Sequence, residues 1–216
     1  MASLIAPYST TFFNQVPDLH SSLSSFLSNG GMRIVDTIFK PLILRHRVEK
    51  IFGIGLLHRH FILTGREKLV EFNNISVPWK HQTDEDEHSG GKILPCGWAV
   101  VEEKLMPYEF YFSPLRAQGD LDYNAVEPFL VEFLETVKAT GLERTLSLRL
   151  FPGERYVGGL EITEGRANVN FLPHEVPEDE WVGTTETMWF FDPRWIKEKR
   201  ACRCKEFSGN PHMHLN

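Results

Sequence analysis

Alternating hydrophobic and polar positions are frequent from residue 54 onward and predict β-strands. The clearest pair of strands spans 54–63 and 68–77. They flank Thr64-Gly65-Arg66-Glu67, which has the composition of a hairpin loop. Further strands are predicted at 96–112 (one or two strands, broken near Pro107), 145–150, 156–163, 167–172 and 185–191. Short spacings between these segments, such as the turn Glu164-Gly165-Arg166, favour antiparallel pairing.

Two segments have helical periodicity instead. The stronger one, residues 125–140, can be capped by Asn124 and ended by Gly141. Its apolar positions fall on one stripe, formed by Val126, Phe129, Leu130, Phe133, Leu134 and Val137. A shorter amphipathic helix is predicted around 19–27, and residues 32–51 fit either a helix or a strand. We expect the stripe of the long helix to pack against the sheet.

These elements predict a single α+β domain. Its sheet is curved or partly closed and mainly antiparallel, with one main helix packed on it. Along the chain we expect an N-terminal arm with a short helix at 1–31, an α+β core at 32–196 and a charged, Cys- and His-containing tail at 197–216. The acidic, Gly-ended run at 81–91 predicts a solvated, mobile loop that folding does not require.

Composition excludes several classes of function. The chain has 216 residues and a formal net charge of −6, so no basic field would attract nucleic acid. No apolar run approaches the roughly 20 residues that span a bilayer, and the N-terminus lacks a secretory signal pattern. Three cysteines do not make a disulfide framework. We therefore expect a cytoplasmic protein without a nucleic-acid or membrane partner.

The segment Gly55-Leu56-Leu57-His58-Arg59-His60-Phe61 is the most informative chemical feature. Side chains alternate faces along a strand, so a strand here would place both histidines on one face. If residues 64–67 form a four-residue hairpin loop, Leu63 pairs with Lys68. That register then sets His60 opposite Glu71 and His58 opposite Asn73.

Two histidines and a carboxylate suit two kinds of chemistry. They form a ligand set for zinc or non-haem iron, and they also form an acid–base pair in which Glu71 polarises His60. We therefore predict His58, His60 and Glu71 as catalytic or metal-binding residues, with a zinc or iron ion as the candidate cofactor. Asn73, Trp79 and Trp98 are the candidate substrate-binding residues. A polar sheet face that is only hydrogen-bonded is the alternative.

A second cluster of metal-binding residue types lies near the C-terminus. It consists of Cys202, Cys204, His212 and His214, whose thiolates and imidazoles are zinc ligands by chemistry. The usual spacing of two residues between paired cysteines is absent, so an irregular tail is the alternative.

The segment Phe52-Gly53-Ile54-Gly55-Leu56-Leu57-His58-Arg59-His60-Phe61, followed by Leu69-Val70-Glu71 and Pro78-Trp79, resembles a family of uncharacterised filamentous-fungal proteins. The resemblance covers residues 48–80. It implies an intracellular protein from a lineage rich in small-molecule biosynthesis and assigns no role to any residue. The first motif of cupins also holds two histidines one residue apart, but its spacings differ and the second cupin motif is not present.

Together these features predict a small enzyme that acts on a small, rather apolar molecule. The reaction would be metal-dependent or of the lyase or isomerase type with acid–base catalysis. A non-catalytic module for ligand binding or protein interaction, with structural histidines, is the alternative.

Overall fold

The computed structural model describes residues 4–80, 87–88, 90–114 and 121–205. The α-helices are α1 (Thr10–Gln15), α2 (Leu19–Ser28), α3 (Gly31–Ile34), α4 (Lys40–Arg45), α5 (Tyr123–Thr140) and α6 (Pro193–Lys197), with a π-helical turn at Val35–Phe39. The strands are β1 (Phe52–Leu56), β2 (Glu67–Phe72), β3 (Ile75–Lys80), β4 (Glu87–His88), β5 (Gly91–Val101), β6 (Lys104–Pro114), β7 (Leu146–Leu150), β8 (Gly159–Glu164), β9 (Ala167–Phe171), β10 (Thr185–Trp189) and β11 (Cys202–Lys205).

The described strands form one sheet that closes into a barrel. Their order is β4-β5-β6-β2-β3-β9-β8-β11-β10-β1-β7, and β7 also pairs with β5. This last pairing closes a ring of ten strands and leaves β4 outside it, beside β5. Strands β2 and β6 are parallel, as are β8 and β11, whereas the other pairs are antiparallel. The architecture is a closed, mixed β-barrel.

The predicted α+β fold, with one main helix on a curved or partly closed sheet, is therefore wrong. Most of the strands are predicted correctly from the alternation of apolar and polar residues. Alternation, however, indicates only which residues share a face of a strand and not which strands pair with it. Closure depends on the pairing of Gly97 with Arg149, Trp98 with Leu148 and Ala99 with Ser147. About 50 residues of chain separate these partners, and no local pattern reports such a contact.

The helices pack on the outside of the barrel. The predicted stripe of α5 is confirmed, because all six of its members are buried. Phe133 and Phe129 contact Phe39 and the β1 residue Phe52, respectively, with ring centroids 5.7 and 5.4 Å apart. The cap of α5 is Asp122, whose carboxylate accepts a hydrogen bond from the N–H of Asn124, rather than Asn124 itself.

The N-terminal elements complete this outer core. Helix α2 confirms the amphipathic helix predicted around 19–27, and Asp18 caps it. Residues 31–45, part of a segment that fitted either a helix or a strand, are helical. Among the described residues, no helix combines the length and the apolar character that crossing a bilayer requires.

Strand β1 shows which positions of a strand face the helices and which face the barrel interior. Phe52, Ile54 and Leu56 belong to the core beneath the helices. The alternate positions are glycines, and a Cβ on Gly55 would lie only 2.6 Å from Cγ of Arg149 and 2.7 Å from Oγ of Ser147. Glycine at this position therefore leaves room for β7 side chains inside the barrel.

The predicted hairpin of 54–63 with 68–77 is also wrong. Strand β1 ends at Leu56 and pairs with β7 and β10, whereas β2 pairs with β3 and β6. The hairpin is β2–β3, and it turns at Asn73-Asn74, where both residues have positive φ. Glu71 consequently lies opposite Ser76 and not opposite His60. The apolar residues after Leu56 resemble a strand in sequence, but of these only Leu57 and Leu63 are buried, at the end of the barrel.

Candidate metal centre and adjoining cavity

The two histidines lie in a segment that crosses one end of the barrel. This histidine segment, residues 57–63, connects β1 to β2, which are distant from each other in the sheet order. Leu57 and Leu63 are buried with Phe13 of α1 and close this end. The side chain of Asn14 bonds both backbone groups of Leu63, at 2.8 and 2.9 Å. The segment is thus irregular in conformation but firmly held.

Four side chains with metal-binding chemistry meet just inside this closed end. They are His58, His60, Glu161 of β8 and Cys204 of β11, and their ligand atoms all lie within 4.8 Å of one another. Sγ of Cys204 is 3.5 Å from Nε2 of His58 and 2.7 Å from Oε2 of Glu161. Nε2 of His60 is 3.7 Å from the same carboxylate oxygen. We call these four residues the cluster.

Hydrogen bonds outside the cluster orient both imidazoles. Nδ1 of His58 donates to the carbonyl oxygen of Leu56 at 2.8 Å, so its Nε2 keeps a lone pair. Nδ1 of His60 lies 3.0 Å from Oγ1 of Thr163, which itself donates to Oδ1 of Asn168 at 3.2 Å. Thr163 therefore accepts from His60, and Nε2 of His60 keeps a lone pair, which accepts a hydrogen bond from Nδ2 of Asn168 at 3.3 Å. Both Nε2 atoms lie at the cluster, and at His60 a metal ion would compete with Asn168 for the lone pair.

Burial dominates the electrostatics of the cluster. It lowers the pKa of His58, and burial together with the neighbouring His58 lowers that of His60 well below its usual value. Both imidazoles are therefore neutral near pH 7, the form that binds metals. Burial raises the pKa of Glu161 to about 7 and holds that of Cys204 well above its usual value. A thiol in this state is a poor nucleophile, which argues against cysteine catalysis.

The cluster could hold a metal ion. Two imidazole nitrogens, one carboxylate oxygen and one sulfur form a tetrahedral set, and bonds of about 2.0–2.3 Å would require ligand separations near 3.4 Å. Three of the separations, 2.7, 3.5 and 3.7 Å, lie around that value, and all four ligand atoms are within 4.8 Å of one another. Sulfur and imidazole ligands suit Zn²⁺, and histidine with carboxylate also suits Fe²⁺.

The cluster contains part of each ligand set that the sequence predicted. His58, His60 and Cys204 belong to it, whereas Glu71 and Cys202 do not. Cys202 also lies on β11, but its Sγ is 3.6 Å from the hydroxyl of Tyr156. The irregular-tail alternative does not hold for residues 202–205, which form β11 between β8 and β10.

Several predictions concern parts of the chain outside the described residues. His212 and His214 lie there, as do most positions of the acidic run 81–91. The division into an arm at 1–31, a core at 32–196 and a tail at 197–216 stays a prediction, as do the catalytic and substrate-binding roles.

The candidate substrate-binding residues lie away from the cluster. Trp98 is buried beneath the helices, with its ring 6.1 Å from that of Phe52. Trp79 packs on Phe112, and Asn73 is exposed in the β2–β3 turn. Trp98 lies on the outward side of β5, so its side chain faces the helices and not the barrel interior.

Sequence reasoning missed Glu161 as a member of the cluster. The sequence predicts its strand, but a carboxylate at an alternating polar position is typical of an exposed strand face and does not by itself indicate a site. In the structure only 12% of its side chain is exposed. The one available signal was its place in the polar alternation of Glu161 and Thr163 on β8, which now proves to face the barrel interior rather than solvent.

A cavity of about 700 Å³ occupies the opposite, open end of the barrel. One wall is polar and includes Glu161, so the cavity reaches the cluster. The other wall is largely apolar. The lining comprises Lys50, Glu71, Asn74, Cys96, Tyr111, Arg149, Leu150, Phe151, Pro152, Gly153, Glu154, Tyr156, Glu161, Asn170, Met188 and Phe190. A volume of this size accommodates a small organic molecule.

A buried hydrogen-bond chain supports the polar wall. Arg149 forms an ion pair with Glu109 and also donates to the hydroxyl of Tyr108 at 3.1 Å. Tyr108 donates to Ser147 at 3.1 Å, and Ser147 donates to the carbonyl of Gly55 at 3.2 Å. The guanidinium is therefore neutralised and fixed by groups on β6, β7 and β1.

Comparisons with family models, with curated proteins and with solved structures find no significant match for this chain. The resemblance to filamentous-fungal proteins therefore stays a prediction, and the candidate function depends on the geometry of the site.

Proposed function

We propose that this protein is a metal-binding β-barrel that acts on a small molecule held in its open-end cavity. The metal, Zn²⁺ or Fe²⁺, would be bound by His58, His60, Glu161 and Cys204. The observation that carries the proposal is that Glu161 belongs to the cluster and also lines the cavity. A small molecule in the cavity would thus meet the metal through this edge of the cluster.

The chemistry of the site supports a catalytic use of the metal. A bound cation can polarise an oxygen of the substrate or lower the pKa of a bound water. The neutral histidines and their tautomers suit metal binding, which would replace the hydrogen bonds from Asn168 to His60 and from Cys204 to Glu161. Glu71, on the cavity wall, is placed to exchange a proton with a bound molecule, which keeps the predicted acid–base role open at this position.

A structural metal is the second candidate, and one observation favours it. Four protein ligands complete a tetrahedron, and structural zinc sites are closed in this way whereas catalytic sites keep one position for water or substrate. Such a metal would tie the histidine segment to β8 and β11.

The test is the metal content of purified protein, measured by inductively coupled plasma mass spectrometry. We expect about one Zn²⁺ or Fe²⁺ per chain, and a loss of at least about tenfold in metal affinity in Cys204→Ser and in the double variant His58→Ala/His60→Ala. Cys202→Ser is the matched control, because Cys202 lies two positions away on β11 and contacts Tyr156 instead. Glu71→Gln should retain the metal, whereas Glu161→Gln should weaken its binding.

Equal metal content in Cys204→Ser and Cys202→Ser would contradict the ligand set, and metal-free wild-type protein would contradict the proposal. Cobalt substitution then separates the catalytic from the structural candidate. An absorption spectrum of the Co²⁺ protein that changes on addition of azide indicates an open position. A spectrum that azide leaves unchanged favours the structural site.

A further inference from the structure

The open-end cavity contains one carboxylate that no described side chain neutralises. Glu71 of β2 lines the cavity, and among the described residues its carboxylate has no hydrogen bond or ion pair. Burial raises its pKa, as expected for a carboxylate without a partner. The guanidinium of Arg149 opposes this effect from a distance, but it forms its own ion pair with Glu109.

The other charged groups of the cavity are already balanced. At the rim, Nζ of Lys50 lies 2.7 Å from Oε1 of Glu154. Glu161 belongs to the cluster, where a divalent cation would compensate its charge and that of a Cys204 thiolate. Among the described lining residues, Glu71 is thus the one carboxylate whose negative charge neither an ion pair nor the cluster would compensate. A cationic ligand would compensate this charge, whereas an anionic ligand would be repelled by it.

The wall across from this carboxylate is apolar and its aromatic rings are packed against one another. The rings of Phe151 and Phe190 pack edge to face with their centroids 5.4 Å apart, and Trp195 supports Phe190 from behind at 4.9 Å. Met188 lies on the same wall. Aromatic faces attract apolar groups and also organic cations.

We propose that the cavity selects a small organic cation, a protonated amine or a quaternary ammonium with an apolar body. Glu71 binds the ammonium group, and the wall of Phe151, Phe190 and Met188 holds the body. This deepens the proposed function by naming the class of its substrate or ligand, and it rests on the cavity being the ligand site. It does not require the metal to be present, because an uncompensated Glu161 on the same cavity would also favour a cation over an anion.

Isothermal titration calorimetry on the full chain tests this class with matched probes. We expect 2-phenylethylammonium to bind at least about tenfold more tightly than 2-phenylethanol, which has the same body and no charge. The Glu71→Gln variant should reduce this preference to about twofold or less. Glu103→Gln is the control, because it makes the same change of net charge at an exposed site that pairs with Lys138. It should leave the preference unchanged.

The preference for the amine could also arise if its nitrogen coordinated the metal. Phenethyltrimethylammonium tests this, because its quaternary nitrogen has no lone pair and cannot coordinate a metal. Its binding should also exceed that of the alcohol and should also depend on Glu71. Equal affinities of wild-type protein for the ammonium and the alcohol would overturn the inference, and this comparison needs no variant to fold. A preference that survives Glu71→Gln would overturn the assignment of the site. Metal content, measured on the same samples, reports separately on the proposed function.

Discussion

At the scale of single residues, Gly55 shows that the interior depends on a missing side chain. A Cβ there would meet Arg149 and Ser147 at less than 3 Å, and both of these side chains belong to the hydrogen-bond chain behind the cavity. We expect Gly55→Ala to lower the free energy of unfolding by about 1–3 kcal/mol, because β7 must shift to admit the methyl group. Urea denaturation followed by tryptophan fluorescence measures this change.

Gly165→Ala is the comparison for that experiment. Gly165 has a positive φ of 58° and nothing within 4 Å of an added Cβ, so only backbone strain of about 1 kcal/mol is expected. If Gly55→Ala cost no more than Gly165→Ala, the packing around Arg149 would be looser than the structure indicates.

Glu67 gives a prediction about acid stability. Its carboxylate accepts hydrogen bonds from N and Oγ1 of Thr64, at 2.7 and 3.0 Å, and pairs with Arg166. The hydrogen bond from Arg166 is the largest cause that lowers the pKa of Glu67 to about 2. Because the folded-state pKa is below the unfolded value, the stabilisation is complete above pH 4.5 and is lost as the pH falls toward 2.

We therefore expect Glu67→Gln to be less stable than wild type at pH 7, by about 1–3 kcal/mol. The gap should narrow between pH 4.5 and 2, as measured by thermal melting across that range. If the difference in stability between wild type and Glu67→Gln stayed constant from pH 7 to pH 2, the ionised carboxylate of Glu67 would not be its cause. Glu103→Gln, at an exposed ion pair, should show a much weaker effect of pH.

At the scale of elements, helix α5 contributes the largest apolar stripe of the outer core. Phe133 is fully buried against Phe39 and Phe129, whereas Val131 on the same helix is 39% exposed. We expect Phe133→Ala to destabilise the protein by about 3–5 kcal/mol, because it leaves a cavity between the helix and its neighbours. Val131→Ala should change the stability by less than about 1 kcal/mol.

Chemical denaturation of both variants measures this difference. Similar stabilities would show that the stripe is not packed as described, and a soluble, folded Phe133→Asp variant would contradict the packing still more directly. The same comparison tests whether α5 is required for the barrel or is only attached to it.

At the scale of the whole molecule, β11 is needed to complete the ring. It lies between β8 and β10 and also supplies Cys204 to the cluster. A chain that ends at Ala201 should therefore lose cooperative unfolding, since the barrel would be left with two unpaired edges. A chain that ends at Lys205 keeps β11, Cys204 and Glu161 while removing His212 and His214.

Circular dichroism and metal analysis of the two truncated chains check this prediction. We expect the longer chain to fold and to bind the metal as the full chain does. Loss of metal from the longer chain, compared with the full chain and with its fold intact, would instead support His212 and His214 as ligands, as the sequence suggested for the tail. Cooperative folding of the shorter chain would contradict the role of β11 in closure.

The sequence by itself determined those features that depend on neighbouring positions. The stripe of α5, its end at Gly141, helix α2 and most strand positions follow from local periodicity and from residues that start or stop an element. The pairing of His58 with His60 could also be predicted, because two residues so close in sequence remain close in space. Their rings indeed lie 4.8 Å apart, although on an irregular segment and not on a strand.

Only the tertiary structure decided which distant residues meet. Closure of the barrel joins β5 to β7, and it turns the Glu161 face of β8 and the cysteine face of β11 inward, so that Glu161 and Cys204 face the histidines. The hairpin register that placed Glu71 beside His60 was wrong for the same reason. Alternation defines the two faces of each strand, but which face becomes the interior depends on pairings between strands far apart in the chain.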